Sequence, residues 1–213
     1  MKKRFIIAII VCGIIAQFAV LAAMIVQREI TLKKGALVFF VTAPFDPFDA
    51  FRGRYMYVDI PALSHFVAPV KFTAGQVAYA VIQCDSNAVG TITSLAAVEP
   101  QDGLYIRMRV QWCQPELLTV TNAVKRKGQP EETLRETGKY DVDLRSVADR
   151  FYVPEKIAPE VDALAVANRR RTEQQPLACM RIYKGDAVLE DIQIEHKPLL
   201  EFVREALKQR EEK

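Results

Sequence analysis

Histidine is nearly absent from this sequence: His65, in a proline-bounded loop, and His196, at the end of the last expected strand, are the only two. A zinc hydrolase needs convergent ligands at short helical or loop spacing, and no H-E-x-x-H run occurs, so that class drops out. Cysteine is thin as well. Of four, Cys12 lies in an apolar N-terminal run, which leaves Cys84, Cys113 and Cys179, an odd number that excludes a fully paired disulfide framework. Their spacing matches no C-x-x-C pattern, and they read as small buried hydrophobes, with a Cys84–Cys113 bridge as the alternative. There is no P-loop, dinucleotide fingerprint or nucleophile elbow, and no internal repeat. Neither a metal nor an organic cofactor is expected.

A concentrated charge of one sign is also missing. The formal net charge is +3, but residues 1–34 carry six basic side chains and one acid, which leaves 23 basic and 25 acidic side chains beyond them. That near-neutral remainder lacks the positive surface a nucleic-acid binder needs to track phosphates.

What the chain does have is one long hydrophobic run. Phe5 to Val26 is apolar but for Gln17. As a helix it rises roughly 33 Å, enough to cross the hydrocarbon core of a bilayer. It is apolar all round, whereas a core helix of a small domain shows a polar face. The Lys2-Lys3-Arg4 start favours a cytoplasmic N-terminus, although Arg28, Lys33 and Lys34 make the far flank basic too. A cleaved signal ending near Val20-Leu21-Ala22 is the competing reading, but the run exceeds the roughly 7–15 residues of a signal core. Both readings export the rest of the chain. The expected layout is a cytoplasmic n-region at 1–4, an anchor at 5–26, a juxtamembrane linker at 27–35 and an exported β-rich domain at 36–213. The expected topology is single-pass, with the N-terminus in the cytoplasm.

Beyond the anchor the pattern is mainly β (α+β): one antiparallel β domain with one or two short amphipathic helices. Ala36–Thr42, Arg54–Ile60, Val77–Gln83, Thr91–Val98, Leu104–Gln111, Lys139–Leu144, Ala178–Tyr183 and Ala187–Glu195 are strand candidates. In the fifth, Leu104, Ile106, Met108 and Val110 alternate with Tyr105, Arg107 and Arg109, as in a half-exposed antiparallel strand. Lys184-Gly185-Asp186 reads as a hairpin turn. A helix is expected from Pro159 to Arg171, with acids first and three arginines last, complementing the helix dipole. Those arginines are a solvated helix end or a contact for anionic lipid. A second helix follows Pro198, with Leu199, Leu200, Val203 and Leu207 on one stripe.

Two stretches carry a family resemblance. One is Phe45-Asp46-Pro47-Phe48-Asp49-Ala50-Phe51-Arg52-Gly53-Arg54-Tyr55-Met56-Tyr57-Val58-Asp59-Ile60; the other is Arg150-Phe151-Tyr152-Val153-Pro154-Glu155. Together with the anchor and the Lys184-Gly185-Asp186 turn, they resemble the GDYXXLXY protein family, single-anchor bacterial membrane proteins of unassigned activity. The resemblance points to Asp46, Asp49, Arg52, Gly53, Tyr55, Tyr152, Pro154 and Glu155 as its motif residues. At the name-giving motif Gly53 and Tyr55 are kept, while Arg54, Val58 and Ile60 stand for Asp, Leu and Tyr. Val58 and Ile60 preserve the alternation of a strand and Gly53 permits the turn entering it, which favours structural roles for the motif.

Several residues invite chemistry. Glu155 follows Pro154 at an acidic turn and is a candidate base or cation ligand. Asp46, Asp49 and Asp59 offer too few oxygens for calcium and suit turn building better. Ser64 and Lys71 superficially resemble a serine–lysine dyad, with nothing in their spacing to recommend it. The reading that fits best is an anchored extracytoplasmic accessory protein without a catalytic site, whose partners are the lipid bilayer, through residues 5–26, and a membrane or envelope protein. The alternatives are an envelope hydrolase using Asp46, Asp49 or Glu155, and a small-ligand sensor lined by the Tyr55–Tyr57 and Phe151–Tyr152 aromatics.

Overall fold

In the computed structural model, which describes residues 2–43, 55–122, 131–145, 150–154, 160–161 and 175–211, one long helix precedes a β-rich body. Helix α1 spans Lys2–Lys34 and is long and apolar enough to cross a membrane. Its apolar side chains stand exposed, Phe18 at 68% and Ile25 at 65%, so that part of the helix packs against none of the described residues. The 27–34 stretch, read from the sequence as a linker, continues the same helix. It can do so because Gln27, Arg28, Glu29, Leu32, Lys33 and Lys34 are good helix formers. Glu29 and Lys33 also pair at 3.4 Å one turn apart.

Among the described residues the body has two larger sheets and one small one. Strands β1 (Ala36–Val41), β9 (Leu177–Tyr183), β10 (Asp186–Ile194) and β11 (Lys197–Pro198) form one sheet, in the order β1-β9-β10-β11. Strands β3 (His65–Ala68), β7 (Glu131–Arg145), β6 (Tyr105–Asn122), β4 (Val77–Cys84) and β5 (Gly90–Ala96) form the second, in that order. Strands β2 (Tyr55–Tyr57) and β8 (Arg150–Tyr152) pair with each other. Every strand pairing is antiparallel. Helix α2 is the single turn Pro61–Ser64, and α3, Leu199–Glu211, follows β11.

Alternation sets which face is inward. In β6, Ile106, Met108 and Val110 are buried while Arg107 and Arg109 face out; Ala78, Ala80 and Ile82 of β4 and Val142 and Leu144 of β7 join them. From the other sheet come Val38, Phe40, Ala178, Met180, Ile182 and Ile192, all in the same continuous core. Full burial of each Val, Leu, Ile, Phe or Met among them contributes roughly 1.5–3 kcal/mol. Leu199 and Val203 of α3 close one side, with Leu207 partly covered, as the stripe predicts.

Several expectations need correction. His65 lies in strand β3, not a loop: His65 to Ala68 pairs with Asp143 to Tyr140. The Arg54–Ile60 strand is confined, among described residues, to Tyr55–Tyr57, yet Val58 and Ile60 are buried as the alternation requires. β6 and β7 run well past Gln111 and Lys139 through two register shifts. The Pro159–Arg171 helix is described only at Glu160 and Val161, both helical, and its remainder lies outside the described residues. The four cysteines are free. Pairing of Val81 with Tyr105 and of Val77 with Arg109 runs β4 and β6 in opposite directions, which puts Cys84 and Cys113 towards opposite ends of the ladder. At about 3.3 Å per residue that separation is far beyond the ~6 Å a disulfide spans.

Candidate functional site: the joint between helix and domain

The most organised polar cluster lies where α1 meets the β body. The turn between β9 and β10 is Lys184-Gly185, with φ of 47° and 80°, the two-residue hairpin geometry that requires φ above zero at both positions. Glycine is needed at the second position for another reason. A Cβ on Gly185 would lie 2.9 Å from Cε2 of Tyr105 and 3.3 Å from Cβ of Arg107. Among the described residues β7 pairs with β6 no further than Arg145 opposite Arg109, and the earlier part of β6 meets Gly185 instead. The Arg107 N–H donates to the Gly185 carbonyl there, at 2.8 Å.

Asp186, the next residue, accepts on one side from Arg107 Nη2 at 3.2 Å and on the other from the Gln27 amide of α1. A single carboxylate thus ties the helix to both larger sheets. One turn further along α1, Thr31 is 1% exposed, its hydroxyl donating to the Gln27 carbonyl at 3.1 Å. Gly35 ends the helix with its N–H on the Thr31 carbonyl at 2.9 Å. Its missing Cβ is essential, since one would fall 2.4 Å from that oxygen. Arg181 of β9 donates to the Gly35 carbonyl at 3.4 Å and to Glu190 at 2.7 Å. The helix is therefore seated on the body rather than tethered to it.

Beside this joint lies an open groove of about 710 Å³ between the end of α1, the loop joining β5 to β6, and β9. Lys34, Glu99, Asp102, Tyr105, Tyr183 and Lys184 contribute to its lining. Tyr105 donates to Glu99 at 2.6 Å, and this bond, with burial behind it, raises the phenol above its ordinary pKa. Tyr105 is buried although it belongs to the outward set of β6, because Gly185 and the edge of the Tyr79 ring, 5.9 Å away, cover it.

The structure brings the two motif segments together at their described ends: Tyr55 pairs with Tyr152, Met56 with Phe151 and Tyr57 with Arg150. Tyr152 is 72% exposed, Val153 is buried and Pro154 is exposed. Asp46, Asp49, Arg52, Gly53 and Glu155 lie outside the described residues. Asp59, offered as a third calcium ligand, instead accepts from the Ser64 hydroxyl at 3.4 Å. That hydroxyl also donates to the Ile60 carbonyl at 3.2 Å, and Lys71 is exposed, so the superficial dyad dissolves into a helix end. His65 Nδ1 lies 3.6 Å from Asp143 and its ring 6.1 Å from Trp112, an arrangement on the outer sheet surface. Among the described residues no group of three His, Cys, Asp or Glu could hold a metal ion. Cys179 is buried near Asp191 and Glu190, and burial first, then those carboxylates, push its thiol up to about 12, leaving it inert as a nucleophile.

Asp186 and Gln27 were missed as site residues from sequence. The hairpin turn was legible, but nothing local announces that its aspartate reaches a residue 159 positions earlier.

No curated protein and no solved structure matches this chain. The family model described as GDYXXLXY protein matches residues 17–192, a span that takes in the second half of α1, the joint, both motif segments and the β9–β10 turn. The chain belongs to the GDYXXLXY protein family.

Proposed function

We propose that the protein is a single-pass, membrane-anchored accessory protein of the bacterial cytoplasmic membrane, with its N-terminus inside and its β domain outside, holding that domain at a set height and orientation for a membrane or envelope partner. The observation that carries this reading is the unbroken passage of α1 from an exposed apolar run into a seated joint at Gln27, Thr31 and Gly35. A domain that acts alone on a soluble substrate gains nothing from rigid attachment; one that must meet a second membrane-bound surface does. The basic first residues support the inward N-terminus.

Two measurements test it. Cys84 is exposed at the end of β4, so a membrane-impermeant maleimide added to intact spheroplasts is expected to label it; labelling only after lysis overturns the orientation. Affinity purification of the full chain in mild detergent is expected to recover one stoichiometric membrane protein, and Asp186→Ala is expected to weaken that recovery. Recovery of a monodisperse chain alone overturns the accessory role.

A further inference from the structure

The joint also gives the depth of the groove. Gln27 follows the last residue of the apolar run and so sits about 1.5 Å above it along α1, while Lys34 sits roughly 12 Å above it. The headgroup layer on each side of a bilayer is about 5–8 Å thick. Asp186 bonds to Gln27 and Arg107 to Asp186, which sets the β9–β10 turn, Lys184 included, among the headgroups. Lys34 and Lys184 line the same groove, so it opens at headgroup level and rises just above it. A second feature adjoins the groove's lining residue Glu99. Val98, next to Glu99 in the β5–β6 loop, is 78% exposed, the most exposed large hydrophobic side chain among the described residues, α1 included. An aliphatic side chain this exposed, next to a lysine-lined groove, suits contact with a lipid surface.

The lining is charge-balanced: Lys34 and Lys184 against Glu99 and Asp102, over the apolar side chains of Leu104 and Ile182. A simple anion leaves the carboxylates unmatched, and a simple cation leaves the lysines unmatched. Resting on the anchored reading above, we propose that the groove is a phospholipid headgroup site selective for phosphoethanolamine. Lys34 and Lys184 take the phosphate, and Asp102 with the remaining acceptor capacity of Glu99 takes the primary ammonium. The hydrogen-bonding ammonium distinguishes this head from phosphocholine, which has no N–H to donate, and the carboxylates disfavour phosphatidylglycerol.

The test is native mass spectrometry of the full chain released from nanodiscs made of equal parts phosphatidylethanolamine, phosphatidylcholine and phosphatidylglycerol. One phosphatidylethanolamine is expected to be retained per chain. The double variant Lys34→Gln, Lys184→Asn is expected to lose it by about tenfold or more. Both lysines are solvent-facing or in a turn, and asparagine tolerates the positive φ at 184, so the double variant should keep the wild-type melting curve. Equal retention of all three lipids, or equal retention by wild type and variant, overturns the proposal. A thermal shift with soluble phosphoethanolamine and no retained lipid assigns the groove to a free ligand and also overturns it. Flotation of the chain with liposomes is read in parallel: a chain that floats without a bound headgroup refutes the groove, whereas one that does not float refutes the anchor.

Discussion

Two hairpins of this protein, β9–β10 and β6–β7, are built on opposite terms. In β9–β10 the strands end where the core ends, the turn is two residues long, and its tip is pinned by Gly185 on β6 and by Asp186 on α1 and Arg107. In β6–β7 the strands run on from Val110 and Leu144, which are buried, to Asn122 and Glu131, and Leu117 in the outer half is 52% exposed. Register shifts between Val110 and Trp112 and between Pro115 and Leu117 mark the departure. The first hairpin is held by burial and close approach. In the second, the described side chains from Gln111 to Leu117 include none that is buried, and the backbone ladder joins the two strands there. Strand length is thus no measure of structural weight here; what each tip touches is.

Substitutions should separate the two. Gly185→Val forces a β-branched side chain into φ +80° and against the Tyr105 ring, and is expected to destabilise the domain by about 2–5 kcal/mol in denaturant titrations of the detergent-solubilised chain. Asp186→Ala removes a carboxylate 32% exposed, so its effect on global stability should stay near or below ~1 kcal/mol. Its larger signature should be faster amide exchange across Gln27 to Gly35, with β6–β7 unchanged; equal exchange in both proteins would show that the joint holds without this residue.

A pH effect belongs to the same hairpin. Burial raises the Asp191 carboxyl above its ordinary value, against the Ile192 N–H, which donates to it at 2.7 Å and works the other way. The folded state therefore holds this proton more tightly than the unfolded chain. The resulting contribution is full below the unfolded value near ~3.9 and is lost as pH rises through the raised folded value. Asp191→Asn keeps an acceptor for Ile192 and should abolish that fall, so the wild-type-minus-variant stability difference should drop as pH rises through the raised folded value and be flat above it. The smallest effect is expected at Leu117→Ala, within ~0.5 kcal/mol of wild type. A loss as large as at Gly185 would mean the outer half of β6 packs against something and would erase the contrast.

Much of this was readable in the residues. The alternation of Ile106, Met108 and Val110 announced β6, the stripe at Leu199 and Val203 announced α3, and Lys184-Gly185 announced a tight turn. His65 was misread because Pro61 and Pro69 bracket a segment too short to show a clear period, and its strand character comes from the Asp143 to Tyr140 edge it pairs with. From Gln111 to Leu117, the part of outer β6 whose side chains are described, none is buried, so there is no period to read. Of the candidate site, the turn residues were visible and their partners were not.

Local chemistry by itself determined the bilayer-length run from Phe5 to Val26, the β character of the rest and the positions of its sharpest turns. Each depends on propensity or periodicity within a few neighbouring residues. Only the tertiary structure decided that Tyr55 lies beside Tyr152, that α1 continues through Lys34 into a seat, and that Asp186 closes that seat on Gln27. Those contacts join residues far apart in the chain, and their energy exists only once both sheets have folded around one core.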